Sequence, residues 1–273
     1  MSIESFLRRI LELWSEHLNT AYGLLLTSPK EFQGGGMWNA AAAIYSVLSV
    51  VGMSVFTICL LYNIIQHTSN FHELRNPTLL LPVFIRCVVV YAIMSYGMDF
   101  VNLFLSWGQD IAKRIIGKDT VLGGIPTDIP QEILDSINGS GIEKILMWVV
   151  CGLAVILAFS LSTYVVLIVY QRFFQMFFLV AISPLFIGTL GGGTSMRYGS
   201  SYLKRLASVS LQGAAIAVAC ILYSALVSVT GTSIPESTNA VKAWAYIGET
   251  IFSMLLLITG IKASERLLDQ IIA

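Results

Sequence analysis

The sequence predicts an all-α, polytopic integral membrane protein, and three observations predict it. The 273 residues are 56% hydrophobic and only 12% charged, with a mean hydropathy of +0.76. A soluble domain carries roughly 25% charged residues. Several uncharged runs reach the ~20 residues that a helix needs to cross a bilayer. The scarce charges gather between those runs. Disordered chains are charge-rich and poor in apolar residues, so disorder is excluded. Lys+Arg (16) equals Asp+Glu (16), which speaks against a basic nucleic-acid module.

Five or six transmembrane helices, an amphipathic N-terminal helix and one larger loop are expected. The chain divides into an N-terminal interfacial segment (1–37), two spans (38–105), a central soluble loop (106–144) and a C-terminal transmembrane region (145–273). In the first segment Ile3, Phe6, Leu7, Ile10, Trp14, Leu18, Tyr22 and Leu25 recur at helical spacing, with Glu4, Arg8, Glu12 and Glu16 elsewhere. Trp14 and Arg8-Arg9 suit a helix lying in the membrane interface. A helix packed on a partner protein fits equally well. No unbroken apolar stretch of about 7–15 residues stands behind a basic start, so a retained N-terminus is expected.

The first span is Trp38 to Ile65, without charge. The second runs from Leu79 to Leu105 and carries Arg86 and Asp99. Trp107, Ile111 and Ile115 prolong it as a helix along the interface to Ile116. A net acidic, Gly/Pro-punctuated stretch follows. Asp128 can cap a short helix there, with Pro130 in its first turn, Gln131 completing the cap and Gly139 ending it. Asn138-Gly139-Ser140 matches a glycosylation sequon and reads as a turn.

Residues 145–190 would measure about 69 Å as one helix, against a hydrocarbon layer of about 30 Å. A break, a bend or an exit from the membrane is expected. Gln171-Arg172 is the only polar step, and Pro184 lacks a backbone donor and kinks or ends helices. Either two tightly joined spans or one span with a re-entrant or interfacial arm follows, which sets the count at six or five. The remaining spans are Leu206 to Val229 and Trp244 to Ile261, the latter carrying Glu249.

Six spans place twelve Lys/Arg on the side of the N-terminus, and five spans leave the count nearly even. Both place 191–205 and the tail inside by the positive-inside rule. A cytoplasmic C-terminus is therefore expected.

Chemistry is sparse. No H-E-x-x-H, G-x-S-x-G or phosphate-loop motif occurs. His17, His67 and His72 have poor ligand spacing, and Cys59, Cys87, Cys151 and Cys220 sit singly in apolar runs. No metal, cofactor or catalytic residue is expected. Ionisable groups at membrane depth usually face the bundle interior, water or a partner. Arg86, Asp99 and Glu249, with Gln212, are thus the conduit candidates, and snorkelling to the interface is the competing role for Arg86 and Glu249. Arg86 and Asp99 stand about 20 Å apart on one helix and cannot pair. Ser210, Gly213, Ala214, Ala217 and Ser224 form a small face that lets helices approach closely.

Residues 180–212 carry a more specific pattern. Val-Ala-Ile-Ser-Pro-Leu-Phe-Ile-Gly-Thr-Leu leads into a Gly-rich turn, a basic connector with Tyr202-Leu203-Lys204, and a span with Leu211-Gln212. This resembles the core of the TrbL-like family of inner-membrane subunits of type IV secretion and conjugation machines. The aromatic before Leu203 is Tyr202, where relatives often have Trp.

The resemblance implies a non-enzymatic channel or scaffold in the cytoplasmic membrane of a bacterium. Its partners would be secretion ATPases, other secretion subunits, the passing DNA or protein, and further copies in a ring-like homo-oligomer. It also implies that Ser183, Pro184 and Phe186, with Gly191 and Gly192, shape a helix break. Arg197, Lys204 and Arg205 would face the cytoplasm, where ordinary anchoring is the competing role. The family places the central loop outside, which favours five spans. A small-solute secondary transporter and an assembly scaffold without a conduit are the rival functions. The transporter would need matching broken spans in two halves. Pro82 and Pro184 exist, but no self-similar sequence surrounds them.

Overall fold

A computed structural model of the chain describes residues 3–68, 77–117, 142–230 and 239–272. Among them are seven α-helices: α1 (Ile3–Leu26), α2 (Gly36–Thr68), α3 (Pro77–Ser95), α4 (Gly97–Ile116), α5 (Ile142–Thr189), α6 (Met196–Thr230) and α7 (Asn239–Ile272). A short 3-10 turn, Phe32–Gly35, precedes α2. Four helical stretches are long and apolar enough to cross a membrane: Phe32–Gln66, Met147–Thr189, Met196–Leu226 and Trp244–Ile272. A fifth span arises if the pair Phe84–Ser95 and Gly97–Ile116 is counted as one. The helix proposed from Ile129, the sequon at Asn138, and His72 lie outside the described residues.

Two expectations change here. The second span is not straight: α3 and α4 meet at an angle of 79°. Gly97 stands at the corner, where the Tyr45 hydroxyl occupies the space a Cβ would need. Arg86 and Asp99 therefore lie on different helices rather than along one axis. The larger change is in α5, which passes Gln171-Arg172 without a break and contains Pro184 in its interior. The six-span count, which needs two spans here, is not what forms. At 48 residues α5 is about 72 Å long. Such a helix reaches beyond a hydrocarbon layer of about 30 Å even when tilted.

The chain folds as two compact units. The first comprises residues 1–26, 112–171 and 214–267. Its core is built from large side chains. Leu7, Ile10, Leu11, Trp14, Leu18, Ala21, Tyr22 and Leu25 of α1 are all buried, Trp14 completely. Phe6 meets Trp148 edge-on at 5.2 Å, Trp14 meets Tyr223 at 6.5 Å, and His17 meets Phe159 at 6.0 Å. The apolar stripe of α1 is thus spent inside the chain itself. The sequence sets it against the membrane interface or a partner protein; in this unit most of it packs inward. Burial also pushes the Tyr22 hydroxyl pKa upward, so this phenol stays neutral. Ala214, Ala217 and Cys220 of α6 are buried in this unit, and Ser224 bonds back to the Ile221 carbonyl at 2.9 Å.

The second unit comprises residues 27–111, 172–213 and 268–273. Phe32 is buried and stacks on Phe173 with ring centres 4.0 Å apart. Much of α2 stays open: 11% of its apolar stretch is buried, against 56% of that of α6. Ile44, Val47, Val50, Ile58 and Ile65 are exposed along it. This is the surface a spanning helix presents to lipid, where exposure of apolar groups carries no penalty.

Candidate functional site

The second unit holds most of the residues singled out by the sequence, with Ala214, Ala217, Ser224 and Glu249 in the first, and its geometry starts from a proline. Pro184 has no N–H, so the carbonyl of Val180, four residues back, loses its helical donor. The Ser183 hydroxyl donates to that same carbonyl at 2.8 Å. Ser183 is fully buried. The serine supplies the bond the proline removes, and the helix continues to Thr189. The break implied for Ser183 and Pro184 is therefore a repaired position, and the true reversal lies six residues later.

That reversal is a tight turn. Leu190, Gly191 and Gly192 donate backbone bonds to Ile187, Gly188 and Thr189, and Ser195 donates its hydroxyl to the Thr189 carbonyl at 2.9 Å. α6 then starts at Met196. Phe186 stacks on Tyr202 with centres 5.4 Å apart and planes 2° from parallel. The buried Tyr202 hydroxyl donates to the Leu179 carbonyl at 2.9 Å. The residues that carry the family resemblance thus lock a helical hairpin.

One face of α2 seats this hairpin. A Cβ on Gly52 would stand 2.5 Å from the Pro184 carbonyl oxygen, and one on Gly188 2.5 Å from the Gly52 oxygen. Gly191 packs on the Phe56 ring, Gly192 on Cys59 and Gly193 on Asn63. Positions 52, 56, 59 and 63 form one helical stripe. Asn63 is buried, and its Nδ2 makes no hydrogen bond among the described residues. Sequence reasoning missed Asn63. Its spacing of eleven residues from Gly52 was the available signal.

A second close approach joins α4, α5 and α6. Gly108 lies against the Ser210 backbone, and the Ser210 hydroxyl donates to the Phe104 carbonyl. Gly213 lies against the Arg172 guanidinium. Arg172 is 3% exposed and sits over the Phe173 ring at 5.8 Å. Gln109 is also buried, and the side-chain oxygens of Gln175 and Gln212 are buried without a hydrogen bond among the described residues. A charge and several amides held this deep are expensive. Arg172 looked like a polar step between spans, and its burial was not foreseen.

The conduit candidates are not brought together. Arg86 is half-buried and lines an apolar groove of about 490 Å³ with Leu81, Ile85, Val89, Leu190 and Met196. Asp99 is exposed in the first turn of α4. Glu249 is exposed on α7 and belongs to the first unit. Gln212 alone joins the polar cluster. The basic connector also differs from expectation, because Arg197, Lys204 and Arg205 lie on α6 rather than in a loop. Arg205 pairs with Asp269 at 2.5 Å, and Ser208 donates to the same carboxylate oxygen at 2.5 Å.

Spanning apolar helices, a bent helix pair and glycine-spaced packing define a multi-pass α-helical membrane protein. The chain matches the TrbL/VirB6 plasmid conjugal transfer like protein family over residues 15–184, more than half its length, and it belongs to that family. The match begins in α1 and ends at Pro184, so it meets the 180–212 pattern only at its start. Membership makes the chain a component of a conjugal transfer system. No curated protein and no solved structure matches it.

Proposed function

We propose that the chain is the non-enzymatic channel or scaffold subunit, in the bacterial cytoplasmic membrane, of a conjugative type IV secretion apparatus. It helps pass DNA or protein, assembles with further copies of itself, and meets the secretion ATPases at a cytoplasmic C-terminal side. The family match across α1 to Pro184 carries this reading, on a chain with four or five candidate spans. Asp99 favours the conduit form. It is an exposed carboxylate directly after a 79° bend, where a short acidic side chain needs water or a partner.

Complementation of a transfer-deficient donor tests the proposal. Asp99→Asn lowers mating frequency about tenfold, while partner subunits still co-purify. Unchanged transfer removes Asp99 from the path. Loss of co-purification together with transfer replaces the conduit with a scaffold.

A further inference from the structure

We propose that the groove between α3 and the turn joining α5 to α6 seats one anionic phospholipid, with its phosphate on Arg86 and an acyl chain along α3. Leu81, Ile85, Val89 and Ile93 follow one another at four-residue steps and form a single stripe. That stripe is about 18 Å long. Leu190 and Met196 supply the facing wall, and the groove holds about 490 Å³. This falls within the roughly 300–1,000 Å³ of small-ligand sites. Among the described residues, Arg86 is the one charged group in the lining, and it makes no ion pair or hydrogen bond. A guanidinium between apolar walls needs a counter-charge.

The depth of the groove points to lipid. Three apolar stretches end beside it. Met147–Thr189 stops and Met196–Leu226 starts at the turn, and Gly193 in that turn packs on Asn63, near the end of Phe32–Gln66. Helices that span end at headgroup level. α3 starts soon after α2 ends, so its N-terminal end lies on this side. Helical side chains lean toward the N-terminal end. The Arg86 guanidinium therefore leans to the headgroups, and Val89 and Ile93 lie deeper. A lipid already carries its phosphate at this level, whereas a protein partner would have to strip water from an acid to place one there. Phosphate oxygens match the guanidinium fork. A net negative headgroup leaves that charge for the arginine, where a zwitterion's own ammonium would offset it. The site requires spanning helices and nothing of conjugation, so its failure leaves the proposed function standing.

The full chain is placed in nanodiscs of equal phosphatidylcholine and phosphatidylglycerol and extracted, and its retained lipids are counted by native mass spectrometry. One phosphatidylglycerol per chain resists delipidation. Arg86→Gln lowers its retention about fivefold, the share of a single cation near the surface. Val89→Trp fills the groove and lowers retention as well, and Val89 is exposed, so the fold is kept. Arg266→Gln, at an exposed arginine of the first unit, changes nothing. Equal retention of the two lipids overturns the site. So does an equal loss in Arg266→Gln, which marks general attraction, or an unchanged retention in Val89→Trp, which leaves the groove unused. Displacement by millimolar inorganic phosphate reduces the site to a free-anion contact. A lipid-free oligomer that falls apart in Arg86→Gln gives the groove to a second copy of the chain. Either result overturns the lipid assignment.

Discussion

The helical glycines of the two units are packed differently. In the first, Gly23, Gly152, Gly248 and Gly260 have nothing within 4 Å of where a Cβ would stand. Cohesion comes from large side chains, Trp14 and Leu11 and Tyr223 among them. In the second, Gly52, Gly108, Gly188 and Gly213 are each pressed by backbone or a buried guanidinium. The solvents explain the contrast. α1 is not a spanning helix, and burying its stripe gains the hydrophobic term of about 25 cal/mol per Å². Apolar spans gain nothing by leaving lipid, so close backbone approach and buried hydrogen bonds must hold them.

The contrast predicts that the first unit breaks when a side chain shrinks and the second when one grows. The largest effect is Trp14→Ala, which empties the most buried position of α1 and costs about 4 kcal/mol. Gly52→Ala comes next at about 3 kcal/mol, because its new methyl meets the Pro184 backbone, which cannot rotate away. Unfolding of the reconstituted protein, followed by steric trapping, reads both. A harmless Gly52→Ala would mean that α2 and α5 do not touch as described, and the contrast would fail on that side.

Ser183→Ala tests the second unit at a single hydrogen bond. The Val180 carbonyl is then left unpaired in a buried site, at a cost of about 2 kcal/mol. Pro184→Ala returns a backbone N–H to that carbonyl. In that background Ser183→Ala costs almost nothing, and the cycle isolates the repair from packing. Equal costs in both backgrounds would show that the serine matters for its volume instead.

What the sequence made legible divides along the same line. Patterns carried by neighbouring residues were readable: the stripe from Ile3 to Leu25, the small face from Ser210 to Ser224, and the 180–212 motif across the hairpin. Each rests on periodicity or on residues a turn apart. Features decided by distant partners were not. The Arg172 guanidinium fills room that Gly213, on another helix, leaves open. Arg205 finds Asp269 sixty-four residues away. The bend before Gly97 has no proline to announce it. The break foreseen at Pro184 failed for a local reason: its repair is the preceding residue, whose hydroxyl reaches Val180 only once the helix exists.

The smallest expected effect sharpens the contrast most. Gly152 lies within α5, and no atom outside its own helix stands within 4 Å of its missing Cβ. Gly152→Ala removes the backbone freedom a glycine loses on helix formation, a gain of up to about 1 kcal/mol. A neutral or slightly stabilised protein with normal mating frequency is the expected outcome. A stabilised protein that no longer assembles would carry a different meaning. The open space beside Gly152 would then be filled by another chain, and the first unit would use glycine between molecules as the second uses it within one. That result would move the boundary between the two packing modes from the units to the surfaces they share with partners.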